Sequence, residues 1–137
     1  MKNLKILPTL MLICTASFGQ MTSYSYTSSS GTFAAVTGGT DINSIEANDQ
    51  ISLVLPIGFS FNYCGINYTK FRANSNGWIS LDTTITPSVS DQRTNNLSGN
   101  TSLGPVLAPL WDDLDGTTGT ASYTTTSSSP NRVITEE

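Results

Sequence analysis

Between Gly58 and Cys64 the chain alternates, with Phe59, Phe61 and Tyr63 falling on one side and Ser60 and Asn62 on the other. A period of two is the signature of a strand with one buried face. Gly65-Ile66-Asn67 reads as a hairpin loop. Tyr68–Ala73 then returns as the partner strand, with Phe71 on the apolar side and Lys70 and Arg72 on the other. Asn74-Ser75-Asn76-Gly77 is the next turn, since Asn-Gly tolerates positive φ, and Trp78–Leu81 is another strand. Upstream, Thr32–Thr37 is a short strand candidate closed by the turn signal Gly38-Gly39-Thr40-Asp41. Asp41–Gln50 is the one stretch with helical character, with Asp41 as a cap and Ile42 and Ile45 three apart. Ile51–Leu55 is an apolar run interrupted by Pro56.

The second half has weaker periodicity. Thr83–Thr101 is polar and unpatterned and predicts a long surface loop. Leu103–Trp111 holds Gly104, Pro105 and Pro109, which exclude a regular helix and suit irregular β structure. Within it, Leu107, Leu110 and Trp111 are candidate core residues. Thr120–Thr126 is a Thr-rich strand carrying Tyr123, Ser127–Asn131 is a turn around Pro130, and Arg132–Thr135 opens a last strand. Short strands separated by turn signals predict an all-β fold, an antiparallel β-sandwich.

The N-terminus differs in kind. Met1–Lys5 is basic, Ile6–Ala16 is mostly apolar, and Ser17-Phe18-Gly19 places small residues for cleavage before Gln20. This is the layout of a signal peptide, and the apolar run is shorter than the roughly 20 residues that span a bilayer. Cys14 is preceded by Ile13 rather than by a small residue, so simple cleavage fits better than lipidation. The expected organisation is a signal peptide at residues 1–19, a Ser/Thr/Tyr-rich arm at 20–31 and a sandwich domain at 32–137. The exported product is then secreted or held at the cell surface, with no transmembrane segment.

Cleavage removes Lys2 and Lys5 from six basic residues, leaving four against ten acidic ones. No basic cluster remains, so nucleic acid is excluded as a partner. Of the two cysteines only Cys64 is retained, which rules out an intrachain disulfide. A position after an aromatic strand suggests that Cys64 is buried as a small hydrophobe.

Three segments together carry a resemblance: Asn76-Gly77-Trp78-Ile79-Ser80-Leu81, then Leu107-Ala108-Pro109-Leu110-Trp111-Asp112-Asp113-Leu114-Asp115, then Gly119-Thr120-Ala121-Ser122-Tyr123. The order resembles the nidogen-like extracellular domain, as found near the N-terminus of secreted surface proteins of the Bacteroidota. Ile57-Gly58-Phe59-Ser60-Phe61 and Pro130-Asn131-Arg132-Val133 have counterparts there too. The likeness covers residues 22–135 and implies an adhesive or matrix-like module, one part of a longer protein, with no catalytic residues to carry over. Related sequences run on past Asn-Arg-Val through an aromatic and further strands. The expectation is therefore a truncated copy with an exposed sheet edge that favours oligomerisation.

The candidate chemistry is sparse. The chain has no His, so His-based nucleophilic catalysis and imidazole zinc sites are excluded. Asp112, Asp113 and Asp115 leave two readings open. Their carboxylates accept turn N–H groups, or they contribute hard oxygen ligands to a Ca²⁺ ion, with the remaining ligands from elsewhere. Calcium is the one cofactor the sequence suggests. Trp78 and Trp111 lie in strand-like stretches and fit a core better than a sugar-stacking surface. Two function classes follow. One is a non-catalytic adhesion or interaction module that binds an extracellular protein or glycan. The alternative is a carbohydrate-binding module of a secreted enzyme, which a row of exposed aromatics would favour.

Overall fold

The computed structural model describes Ser25, residues 27–86 and residues 103–137. The predicted signal peptide, the start of the Ser/Thr/Tyr-rich arm and most of the predicted Thr83–Thr101 loop lie outside these residues.

Among the described residues seven strands form two antiparallel sheets: β1 (Thr40–Asp41), β2 (Leu55–Tyr63), β3 (Ile66–Asn74), β4 (Trp78–Ser80), β5 (Val106–Leu107), β6 (Ser122–Thr126) and β7 (Val133–Glu136). The smaller sheet runs β1-β6-β7 and the larger β2-β3-β4-β5. The all-β sandwich expected from the turn spacing is the observed fold. Helical structure among the described residues is limited to 3-10 turns, including Asn43–Ile45 and Gly116–Thr118. Among those residues no helix is long and apolar enough to cross a membrane.

The β2–β3 hairpin is the backbone of the larger sheet. Burial along β2 alternates as the sequence requires, with Ile57, Phe59, Phe61 and Tyr63 turned inward and Ser60 and Asn62 outward. Pro56 does not end the run. It lies inside β2, opposite Lys70, with a register shift between Pro56 and Phe61. Proline is tolerated there because β2 is an edge strand and its missing N–H deletes no ladder bond on the open side. The hairpin turn is also one step tighter than Gly65-Ile66-Asn67, since Ile66 already pairs with Tyr63. That leaves Cys64 (φ 51) and Gly65 (φ 81) as a two-residue loop. Positive φ at both positions matches the right-handed twist of the flanking strands. Cys64 is accordingly half-buried at a hairpin tip and not part of the core.

Three further expectations are corrected. Thr32–Thr37 forms no strand, and Thr40–Asp41, expected in a turn, is β1, pairing with Tyr123 and Ser122. Residues 32–37 have the right propensity but no neighbouring strand to bond, and only Val36 is half-buried. Ile85, in the expected surface loop, is buried beside Trp78, Leu103 and Trp111. Leu110, a core candidate, is 66% exposed, and Leu107 is half-buried.

The core has two parts, one on each face of the larger sheet. Between the sheets lie Ile42, Ile45, Ile57, Phe71, Ala73, Leu81 and Tyr123. Phe71 and Tyr123 meet edge to face at 5.4 Å and join β3 to β6. The Thr125 hydroxyl donates to the Ile57 carbonyl at 2.7 Å, a second link between sheets. On the other face Trp78, Ile85, Leu103 and Trp111 form a separate cluster, with the two indoles 6.2 Å apart. An aromatic pair of this kind contributes about 0.5–1.5 kcal/mol beyond its area burial.

Candidate functional site

Two of the three segments that carry the sequence motif, 76–81 and 107–115, meet at one residue, Asn76. Its side chain is fully buried, and each end is used. Oδ1 accepts the Leu114 N–H at 3.0 Å, and Nδ2 donates to Asp49 Oδ1 at 3.0 Å. Its backbone N–H donates to Asn74 Oδ1 at 2.8 Å, and its carbonyl accepts the Asp112 N–H at 3.2 Å. Asn76 thereby ties the β3–β4 turn, the 46–50 segment and the acidic stretch into one unit. Gly77 next to it has φ 76 and lies directly under Leu110. A Cβ here would meet the Leu110 carbonyl carbon at 2.9 Å, with its oxygen closer still. The Asn-Gly pair is needed because another piece of backbone crosses on top of it, a reason beyond the turn geometry that its sequence suggested.

Two of the three aspartates, Asp112 and Asp115, accept backbone N–H groups of the turn. Asp112 Oδ1 accepts the Asp113 N–H at 2.8 Å. Asp115 Oδ1 accepts the Thr117 N–H at 2.9 Å and caps the 3-10 turn that follows. That bond holds the Asp115 carboxyl below its ordinary value. Thr84, donating from its backbone and hydroxyl, does the same for Asp82. Among the described residues no group of three His, Cys, Asp or Glu side chains is placed to share a metal ion. Asp112, Asp113 and Asp115 are thus neighbours in sequence without forming a ligand shell of their own.

A concave feature lies elsewhere. A cleft of about 890 Å³ opens between the two sheets. Phe61, Phe71, Ile79 and Leu107 form its floor, one from each strand of the larger sheet, and Ile134 of β7 forms part of the opposite wall. Glu46, Glu136 and Glu137 also line it, and among the described residues no Lys or Arg does. The Glu46 carboxylate is held by the Ala121 N–H at 3.1 Å, and Glu137 accepts the Val36 N–H. Glu136 as a whole residue is exposed, yet the protein packed around its carboxyl desolvates that group and pushes it up to about 7. Sequence reasoning did not find this cleft. Its residues come from five strands and no local pattern joins them.

Both tryptophans are core residues, Trp78 at 1% and Trp111 at 8% exposure. The aromatic row of β2 faces inward and is half-buried, with Phe59 covered by the Arg132 guanidinium at 5.1 Å. Phe33 is the one strongly exposed aromatic among the described residues, at 78%.

No curated protein and no solved structure matches the chain. A family model does, the one described as NIDO related, over residues 23–137. That range takes in both sheets, the Asn76–Gly77 crossing and the cleft, and the protein belongs to the NIDO-related, or nidogen-related, family.

Proposed function

We propose that the protein is an exported, non-catalytic interaction module that mediates adhesion at or beyond the cell surface as one part of a larger protein. The observation that carries this reading is the cleft, a large apolar surface left uncovered in a small NIDO-related domain. A concavity with an apolar floor and a few polar groups beside it is the usual form of a binding site. The absence of histidine and the use of Asp112 and Asp115 as backbone acceptors support a binding role over chemistry. The basic and apolar stretches of residues 1–19 support export. The carbohydrate-binding alternative gains no support, because it needs a platform of exposed aromatics and both indoles are inside.

The test has two arms. Mass spectrometry of the secreted product is expected to give an N-terminus at Gln20. Beads carrying the purified protein are then offered a panel of immobilised matrix and cell-surface proteins beside a glycan array. Binding to protein spots without glycan binding is expected. Binding confined to glycans, or to neither, overturns the reading.

A further inference from the structure

We propose that Asn76-Gly77 is a site of one-way chemical modification that the native fold holds shut. Whenever the Asn76 hub opens, its side-chain amide is lost as ammonia, and the aspartate or isoaspartate that results does not fit back into place.

The reaction needs only the chain and water. The Gly77 backbone nitrogen attacks Asn76 Cγ and a new N–Cγ bond forms. The Cγ–Nδ2 bond breaks, and the proton from the Gly77 nitrogen leaves on ammonia. Water then opens the cyclic imide at either carbonyl, giving aspartate or isoaspartate, and returns a proton to the nitrogen. Glycine lets this ring close most readily, since no Cβ crowds the attacking nitrogen. Asn-Gly occurs once in the chain, at residues 76 and 77.

In the fold the groups this reaction uses are engaged. The Gly77 N–H donates to the Asn74 carbonyl at 3.1 Å. Asn76 Oδ1 accepts the Leu114 N–H and Nδ2 donates to Asp49, so Cγ is not free to turn toward the Gly77 nitrogen. Asn76 is 0% exposed, which shields its amide from water. The Leu110 backbone over Gly77 resists the rotation that ring closure needs. Conversion therefore follows the population in which this hub is locally open.

The same contacts reject the product. An aspartate at 76 puts an oxygen where Nδ2 stood, 3.0 Å from Asp49 Oδ1. Two carboxylates then share a site from which water is largely excluded, and each disfavours the other's charge. Isoaspartate lengthens the backbone of a turn whose N–H and C=O are both committed, to Asn74 Oδ1 and to the Asp112 N–H.

The test ages the purified protein in mildly alkaline buffer, folded and in urea, and follows the peptide containing Asn76 by mass spectrometry. Conversion is expected to be at least about ten-fold faster in urea, equivalent to an opening free energy of about 1.4 kcal/mol or more. Gly77→Ala, compared in urea where its folding does not matter, is expected to convert at least about ten-fold more slowly, because its Cβ crowds the attacking nitrogen. Protein aged in urea and then diluted is expected to regain native tryptophan emission only in the fraction that still carries the Asn76 amide. Asn76→Asp is expected to unfold at lower urea than the parent, and adding Asp49→Asn, which returns a donor to the pair, to recover part of the loss. Equal rates in the folded and unfolded protein overturn the gate, and equal rates for Gly77→Ala in urea overturn the imide route. Full refolding of converted chains, or an Asn76→Asp variant as stable as the parent, overturns the one-way step. A double variant with no recovery overturns the clash with Asp49.

Discussion

Replacing Gly77 by alanine is expected to cost far more than the same change at Gly65, although the two have nearly equal φ angles of 76 and 81. At Gly65 a Cβ meets nothing within 4 Å, so only the left-handed backbone is penalised, by about 1–2 kcal/mol. At Gly77 the same penalty applies, and the Cβ also lies 2.9 Å from the Leu110 carbonyl carbon and 3.1 Å from Leu114 Cδ1. Carbon atoms prefer about 3.5–4.0 Å, so the crossing backbone must retreat by something on the order of 1 Å. Overpacking of this kind costs a further 1–3 kcal/mol or so, giving about 2–5 kcal/mol in all. At about 4 °C per kcal/mol for a domain near 100 residues, Gly77→Ala lowers Tm by about 8–20 °C. Gly65→Ala lowers it by about 4–8 °C on the same scale. The assay is thermal and urea unfolding followed by tryptophan emission, because Trp78 and Trp111 share the cluster next to the crossing. An asparagine at each site separates the two terms, since asparagine visits the left-handed region readily. Gly65→Asn should recover most of the loss, and Gly77→Asn little of it. Equal losses for the two alanine variants would refute the crossing-backbone argument.

Asn76→Ala is expected to cost about 2–4 kcal/mol in urea unfolding, because the Leu114 N–H loses its acceptor and Asp49 a donor in a part-buried setting. The Glu136 carboxyl is raised in the folded state from 4.5 to about 7, so between these values the folded protein holds more protons than the unfolded chain. Stability then falls as pH rises from about 4.5 to 7 and levels off above; Glu136→Gln should flatten that slope in melts at pH 5 and 7.5. The lowered Asp82 and Asp115 act in the opposite sense, contributing stability that is lost as pH falls below the ordinary carboxylate value of 3.8. Millimolar Ca²⁺ is expected to leave Tm unchanged; a stabilisation approaching 2.7 kcal/mol, the value at about 100 times Kd, would restore the aspartates as ligands.

The sequence revealed the β2–β3 hairpin because one face of each strand is buried and the other is wet, which writes a period of two into Phe59, Phe61 and Tyr63. It misled at Pro56 because proline's cost depends on whether the strand is central or at an edge, which local sequence does not state. Cys64 was misplaced because hydrophobicity argued for burial while Gly65 beside it argued for a tight turn, and the turn prevailed. Asn76 could be read as a turn residue but not as a fully buried hub, since its partners Asp49 and Leu114 are distant in the chain. Trp78 and Trp111 were legible as core, while the space between Phe61, Ile79 and Ile134 was not, because it depends on how two sheets stack.

β4 has no solvent face. Trp78 and Ser80 are buried on one side of it, with Leu81 just beyond buried on the other and Ile79 half-buried there. In a strand with one wet side, sliding by one residue throws its apolar set into water, and that penalty fixes the register. Sliding β4 would instead exchange Ile79 for Trp78 in the inter-sheet core, one apolar residue for another. Its alignment with β3 must come from its end, where Gly77 and Asn76 clamp the turn against the crossing segment. The Asn-Gly pair therefore acts as the index mark from which β4, β5 and the floor of the cleft take their positions. Loosening it would yield a misaligned sheet that still looks well packed.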